Sequence, residues 1–182
     1  MSSLRNGGAE RSLVNLLQLL DYDRYNVDPL LFQNEGLFLK QVPKAVNIIS
    51  NCNKLYTLYD NNKAEALKHP YLSVVHMIGT FISRKKTNSV AKSRQYRWEH
   101  FYKKIIPELT KEYDVAIAYM QREQTYFLVD KVKAAKKITW VHNEYSQLGH
   151  FKEMDLEYFE KVDKVVTISD LCAKDLKKNF PS

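Results

Sequence analysis

Asp114-Val115-Ala116-Ile117-Ala118-Tyr119 is the stretch that decides the fold class. An apolar run of strand length with almost no polar interruption implies burial on both faces, and strands buried on both faces belong to parallel sheets. Working outward, Glu123 to Lys133 reads as a helix, Lys137 to Val141 as the next strand and Val162 to Ile168 as another, after which Ser169 opens a helix with Leu171, Cys172 and Leu176 inward. Strand, helix, strand, helix, strand, helix implies right-handed crossovers and an α/β fold: a Rossmann-like, doubly wound, mostly parallel sheet.

Ligands of such sheets collect beyond the carboxyl ends of the strands. Gln121 to Thr125 follow the first of these strands, His142, Asn143, Glu144 and Tyr145 the second, and Ser169 and Asp170 the third. Three polar clusters at three neighbouring strand ends suggest a site of convergent polar groups. Each residue alone also has a structural role open to it. His142 can be a satisfied structural histidine, Glu123 an acid favoured at a helix N-terminus, and Ser169 an N-cap.

Toward the amino terminus, Leu4-Arg5-Asn6-Gly7-Gly8-Ala9-Glu10-Arg11 runs into a helix over Ser12 to Leu20 with an apolar stripe at Leu13, Val14, Leu16, Leu17 and Leu20. Gly7 and Gly8 permit turn geometry closed to other residues and leave no side chain between backbone and ligand. The helix that starts there aims free N–H groups at the same spot, a ready place for a phosphate. Beyond it, Tyr25 to Phe32 reads as a strand demoted at Pro29 to an edge or bulge, Glu35 to Lys40 as a short helix, Val46 to Ile49 as a second strand, and Asn51 to Ala64 mostly as loop.

Tyr71 to Ile82 is the longest apolar stretch and reads as a helix, buried or facing the surface. Arg84, Lys85, Lys86, Lys92, Arg94, Arg97, Lys103 and Lys104 follow, interleaved with Tyr96, Trp98, Phe101 and Tyr102. Basic and aromatic residues together suit an interfacial helix at an anionic membrane, with Arg84, Lys85, Lys86, Arg94, Arg97 and Trp98 as its facing residues. They also suit single-stranded nucleic acid, or a helix whose rings face the core and whose charges are merely solvated.

The 182 residues fit one domain over 1–182 with a sizeable core. With 45% hydrophobic and 27% charged residues the chain reads as globular, and no apolar run approaches the roughly 20 residues of a spanning helix. A formal charge of +7 favours an anionic partner: nucleic acid, phospholipid or a phosphorylated small molecule. Cys52 and Cys172 show no metal or CxxC spacing, so reduced thiols are expected, and no metal site is visible.

Gly7-Gly8-Ala9-Glu10-Arg11, Val14 to Leu20, Leu30-Leu31-Phe32 with Glu35-Gly36, Trp140-Val141-His142-Asn143 and Asp163 to Ser169 together resemble the N-terminal half of the family 4 retaining glycosyltransferases of bacterial envelope and capsular polysaccharide synthesis. The resemblance is weakest from Asn51 to Arg97. It implies a GT-B enzyme in which this half binds a lipid-linked or glycan acceptor and a second half grips a nucleotide-sugar, used as co-substrate with no further cofactor. Gly7 and Gly8 would lie under the donor diphosphate and His142 near the transferred sugar. Glu123, Thr125 and Asn143 would shape the acceptor side, with Ser169 and Asp170 on the cleft rim. The implied location is cytoplasmic, peripheral to the inner face of the cell membrane.

In that family an apolar strand precedes the Gly-Gly loop, where here only Met1 to Leu4 stand, and the donor domain follows about where this chain reaches Ser182. The expectation is therefore a fragment, a truncated frame or a half-enzyme, inactive without a donor-domain partner chain. The alternatives are a non-catalytic subunit presenting a lipid acceptor and, less favoured, a nucleic-acid-binding module.

Overall fold

A computed structural model of the chain describes residues 1–49, 53–59 and 67–181. They fall into two compact units, Met1–Ser73 and Val74–Ser182, where the sequence reading has one domain.

The first unit opens on Met1 to Leu4, which lie alongside Leu30 to Glu35. The nitrogen of Met1 donates to the carbonyl of Leu30 (3.0 Å), and Phe32 N–H donates back to Met1 (3.0 Å). Leu4 N–H meets the carbonyl of Glu35 (2.9 Å). Helix α1 spans Gly8–Leu19 and buries Val14 and Leu17; Leu16 of the expected stripe is exposed, as is Leu19 outside it. The two strands expected at 25–32 and 46–49 reduce to one parallel bridge, Leu30 to Ile49, and the expected short helix is a 3-10 turn, Leu37–Gln41. The loop expected from Asn51 contains helix α2, Asn53–Tyr59, which buries Leu55 and Leu58; the rest of that stretch, with Cys52, lies outside the described residues. Those leucines sit three apart on one helical face, a signal masked by the Asn and Lys residues around them.

Gly36 is the position on which the first unit closes. Its φ is +132°, and a Cβ there would lie 1.9 Å from the carbonyl oxygen of Leu4, whose own amide and carbonyl are bonded to Glu35 and Phe38. Gly36→Ala should therefore destabilise this unit by about 3 kcal/mol, combining left-handed strain with a backbone collision. Gly8→Ala makes the contrast: nothing stands within 4 Å of its Cβ position, and stability should be unchanged or slightly raised. Urea denaturation of both variants checks the pair, and equal effects would contradict it.

Helix α3, Pro70–Lys86, leads into the second unit. Helix α4, Val90–Arg97, has its N-cap at Ser89, whose Oγ accepts from Lys92 N–H (3.1 Å), and continues through a π-helical segment, Trp98–Tyr102, to Ile105. The sheet follows: β1, Glu112–Ala118; helix α5, Glu123–Lys131; β2, Lys133–Val141; helix α6, Lys152–Phe159; β3, Lys164–Thr167; helix α7, Asp170–Asn179. All three strands are parallel in the order β1-β2-β3, with Ile117 opposite Ile138 and Trp140 opposite Val166. This is the Rossmann-like α/β architecture read from the apolar runs.

Several details refine that reading. Strand order follows chain order, so right-handed crossovers set α5 and α6 on the same face; the two helices touch, with Tyr126 and Tyr158 rings 4.5 Å apart. Val115 and Ile117 on β1 are each 48% exposed, and Leu171, expected inward on α7, is exposed while Cys172 is buried. The second strand also starts earlier than expected, at Lys133, because the helix before it stops at Lys131.

Candidate functional site

At the carboxyl end of β1 the chain passes Tyr119, Met120 and Gln121 before Arg122, which takes φ 71° and ψ −129°, the single positive φ outside glycine among the described residues. Such a conformation costs roughly 1–3 kcal/mol and persists only where its surroundings demand it. Here it starts α5 directly after Gln121, whose side chain is buried and whose Oε1 accepts from the backbone N–H of His142 (3.2 Å). That bond ties the end of β1 to the end of β2.

Three rings stack beside it. Trp140 and His142, two residues apart on one strand, point to the same face, and Tyr119 meets them from β1. Centroid separations are 5.3 Å for Tyr119–Trp140, 5.5 Å for Tyr119–His142 and 5.6 Å for Trp140–His142, with interplanar angles of 23° and 22° for the two pairs that include Trp140. Tyr119 is buried, while Trp140 and His142 are half-buried. Asn143 continues from His142 and is exposed. At the end of β3, Ser169 caps α7, its Oγ accepting from Cys172 N–H (3.2 Å), and Asp170 stands exposed in the first turn. The sheet therefore brings His142, Asn143, Ser169 and Asp170 to one edge and adds Tyr119, Gln121 and Trp140. Trp140 was legible from its alternation with His142, whereas the bond from Gln121 was not.

Glu123 and Thr125 stand apart from that edge. Glu123 is 1% exposed and ion-paired with Arg94, and the Oγ1 of Thr125, a fully buried residue, lies 2.6 Å from that of Thr139. Both lie inside the unit, so neither offers surface to an acceptor. The expected membrane-facing set divides in the same way. Arg84, Lys85 and Lys86 are exposed at the end of α3. Arg94 is spent on Glu123, and Arg97 donates through Nη1 to Ser93 (3.3 Å) and Thr80 (3.4 Å). Trp98 is wholly buried against Tyr126 and Phe127, and its Nε1–H meets Asp130 (3.0 Å) and the Tyr158 hydroxyl (3.3 Å). Its assignment to a membrane surface is corrected: the ring belongs to the core, held there by a carboxylate thirty-odd residues away in sequence.

In the first unit, Gly7 is the N-cap of α1 with an ordinary extended backbone, φ −88° and ψ 164°, and supplies no side-chain cap. Left-handed freedom is not what the glycine pair provides. The carboxylate of Glu10 lies 2.1 Å from where a Cβ of Gly7 would sit, whereas the space beside Gly8 is open.

Two further features of the second unit complete the picture. A cleft of about 780 Å³ lies at the opposite, amino-terminal edge of the sheet, lined by Glu112, Asp114, Asp130, Lys131 and Lys133, with Lys137, whose ammonium burial pushes below its ordinary range. Its charges are mixed, and sheets of this class do not collect ligands at that edge. The second feature is Asp155, 2% exposed on α6. It accepts from Gln95 Nε2 (3.2 Å), the Tyr126 hydroxyl, the Tyr145 hydroxyl (2.6 Å) and His150 Nδ1 (2.7 Å). Among the described residues no cluster of three or more His, Cys, Asp or Glu is placed to hold a metal ion.

No protein-family model matches the chain, and neither a curated protein nor a solved structure matches it significantly. The site's chemistry is therefore argued from its own residues. The rings of Tyr119, Trp140 and His142, the buried Gln121 carboxamide and the exposed Asn143, Ser169 and Asp170 thus share the carboxyl edge of the sheet.

Proposed function

We propose that this chain is the acceptor-side domain of a nucleotide-sugar-dependent glycosyltransferase, acting on a lipid-linked or glycan acceptor in envelope or capsular polysaccharide synthesis. The observation that carries the reading is the strand-end edge, where Tyr119, Trp140 and His142 stack and Gln121 fixes the backbone of His142. A sugar ring has apolar C–H faces and a rim of hydroxyls, and it matches such a platform with polar groups around it. Two of the motifs that resemble the family 4 enzymes, Trp140 to Asn143 and Asp163 to Ser169, end at this edge. In this role His142 holds a sugar hydroxyl or steadies positive charge at the reacting carbon. Donor binding requires a second Rossmann-like half. The burial of Trp98 and Tyr102 removes two rings from the alternative use of the basic-aromatic run, stacking on single-stranded nucleic acid.

The test is transfer of labelled sugar from nucleotide-sugars into a lipid or glycan fraction by this chain reconstituted with a donor-binding chain that co-purifies with it. His142→Ala should lower that transfer about 100-fold. His142→Phe keeps the ring stack without its nitrogens and should fold as the parent while transferring no better than the Ala variant. Wild-type turnover in either variant would remove His142 from the site, and no transfer from any nucleotide-sugar would end the reading.

A further inference from the structure

Helix α3 wears its polarity inside out. The side it turns to the second unit carries small and polar groups: Ser83 is fully buried, with its Oγ 2.7 Å from that of Ser93, His76 Nδ1 lies 2.8 Å from the Tyr102 hydroxyl, and Gly79 lets the Phe101 ring within 3.4 Å of its Cβ position. The opposite side carries Val74, Met77, Ile78 and Phe81, which are 46%, 63%, 48% and 62% exposed. At helical spacing these four fall within one stripe, and Lys85 continues it. A helix that packs against its own protein buries such a stripe. This one presents it outward.

The charges around the stripe identify what covers it. No acid occurs between Pro70 and Trp98, while Arg84, Lys85 and Lys86 stand exposed at the end of α3. The ammonium of Lys85 lies 4.4 Å over the ring of Phe81, its stem along the apolar side chain and its charge at the end of the stripe. Among the described residues no helix is long and apolar enough to cross a membrane. We propose that α3 lies flat on an anionic lipid bilayer, Met77 and Phe81 entering the acyl boundary and Arg84, Lys85 and Lys86 meeting lipid phosphates. This moves the contact off the run through Trp98, whose ring faces the core, and onto the apolar helix before it. The proposal rests on α3 alone, so it stands or falls separately from the reading of the strand-end site.

Flotation of the full chain with vesicles tests it. The protein should float with vesicles of phosphatidylcholine and phosphatidylglycerol in equal parts and much less with phosphatidylcholine alone. Met77→Ser with Phe81→Ser should weaken flotation roughly tenfold or more, and Arg84→Ser, Lys85→Ser and Lys86→Ser together should abolish the preference for the anionic lipid. Phe81→Trp keeps the stripe and reads the contact directly: its added emission should move to the blue on anionic vesicles and be quenched by lipids brominated in the acyl chain. The proposal is overturned if the parent floats with neither vesicle, or if the added emission does not respond. It is equally overturned if the parent is a dimer that the double Ser variant separates, which would make a second copy the occupant.

Discussion

Asp155→Ala should unfold the second unit under conditions where the parent is stable, at a cost of about 5 kcal/mol. The carboxylate, on α6, is the meeting point of three other segments. Gln95 comes from α4, Tyr126 from α5, and Tyr145 and His150 from the connection between β2 and α6. Removing it strands the Tyr126 and Tyr145 hydroxyls and His150 Nδ1, each costing roughly 1–3 kcal/mol if no water replaces the acceptor, while Gln95 Nε2 keeps the Phe151 carbonyl (3.1 Å) and the Tyr126 hydroxyl (2.8 Å). Gln95 is itself committed on its other side, where its Oε1 accepts from Phe151 N–H (2.6 Å), so it cannot turn away. Asp155→Asn separates charge from hydrogen bonding. It retains one oxygen for Gln95 and Tyr126 and presents an amide to Tyr145 and His150, either of which can rotate or change tautomer to accept, so it should recover a good part of the loss. Urea titration followed by circular dichroism reads all three proteins; an Ala variant as stable as the parent would show that this hub does not hold the unit together.

Alkali should dismantle the same unit between about pH 11 and pH 12. Burial pushes the Tyr102 hydroxyl up to about 12 and also raises Tyr126, Tyr145 and Tyr158, with the Asp155 carboxylate adding to Tyr126 and Tyr145 and the hydrogen bond to Asp130 adding to Tyr158. In the unfolded chain these groups release their protons near pH 10. Above that pH the folded state binds more protons than the unfolded one, so stability is complete below about pH 10 and falls by about 1.4 kcal/mol per tyrosine for each further unit. Four tyrosines together lose about 5 kcal/mol per unit, against a total of about 5–15 kcal/mol for an ordinary domain. Of the chain's 12 tyrosines, the exposed ones should therefore ionise first and Tyr102, Tyr126, Tyr145 and Tyr158 only as helical signal disappears. A single phenolate step near pH 10 with the fold intact would contradict the argument. Tyr145→Phe should make the fall with pH shallower by about a quarter.

The parallel sheet was legible because its strands are apolar runs bounded by polar clusters, and the residues at 115–118, 136–141 and 164–167 pair as that pattern requires. In the first unit the same signal failed. Pro29 and the short apolar stretches around it support only one bridge, and the partner of Leu31 is Met1, which no periodicity announces. The direction of Trp98 was beyond reach for another reason: a helix with interleaved rings and cations has the same composition whether the rings point in or out. Only Asp130 and Tyr158, on two other helices, decide it. At the strand ends, His142 and its neighbours were visible as a polar cluster, but Glu123 and Thr125 looked equivalent to them until Arg122 turned the chain inward.

The arrangement of β1, β2 and β3 in chain order also bears on how the protein is made. Each strand pairs with the one that left the ribosome a single crossover earlier, and no strand must wait for a distant segment. Closing such short loops costs little entropy, and local topology of this kind speeds folding. The sheet can therefore be added to in the order of synthesis, β2 docking on β1 and β3 on β2, with α5 and α6 packing behind it as they emerge. All four groups that donate to Asp155, those of Gln95, Tyr126, Tyr145 and His150, precede it in the chain, so the arrival of α6 closes the polar core in one step.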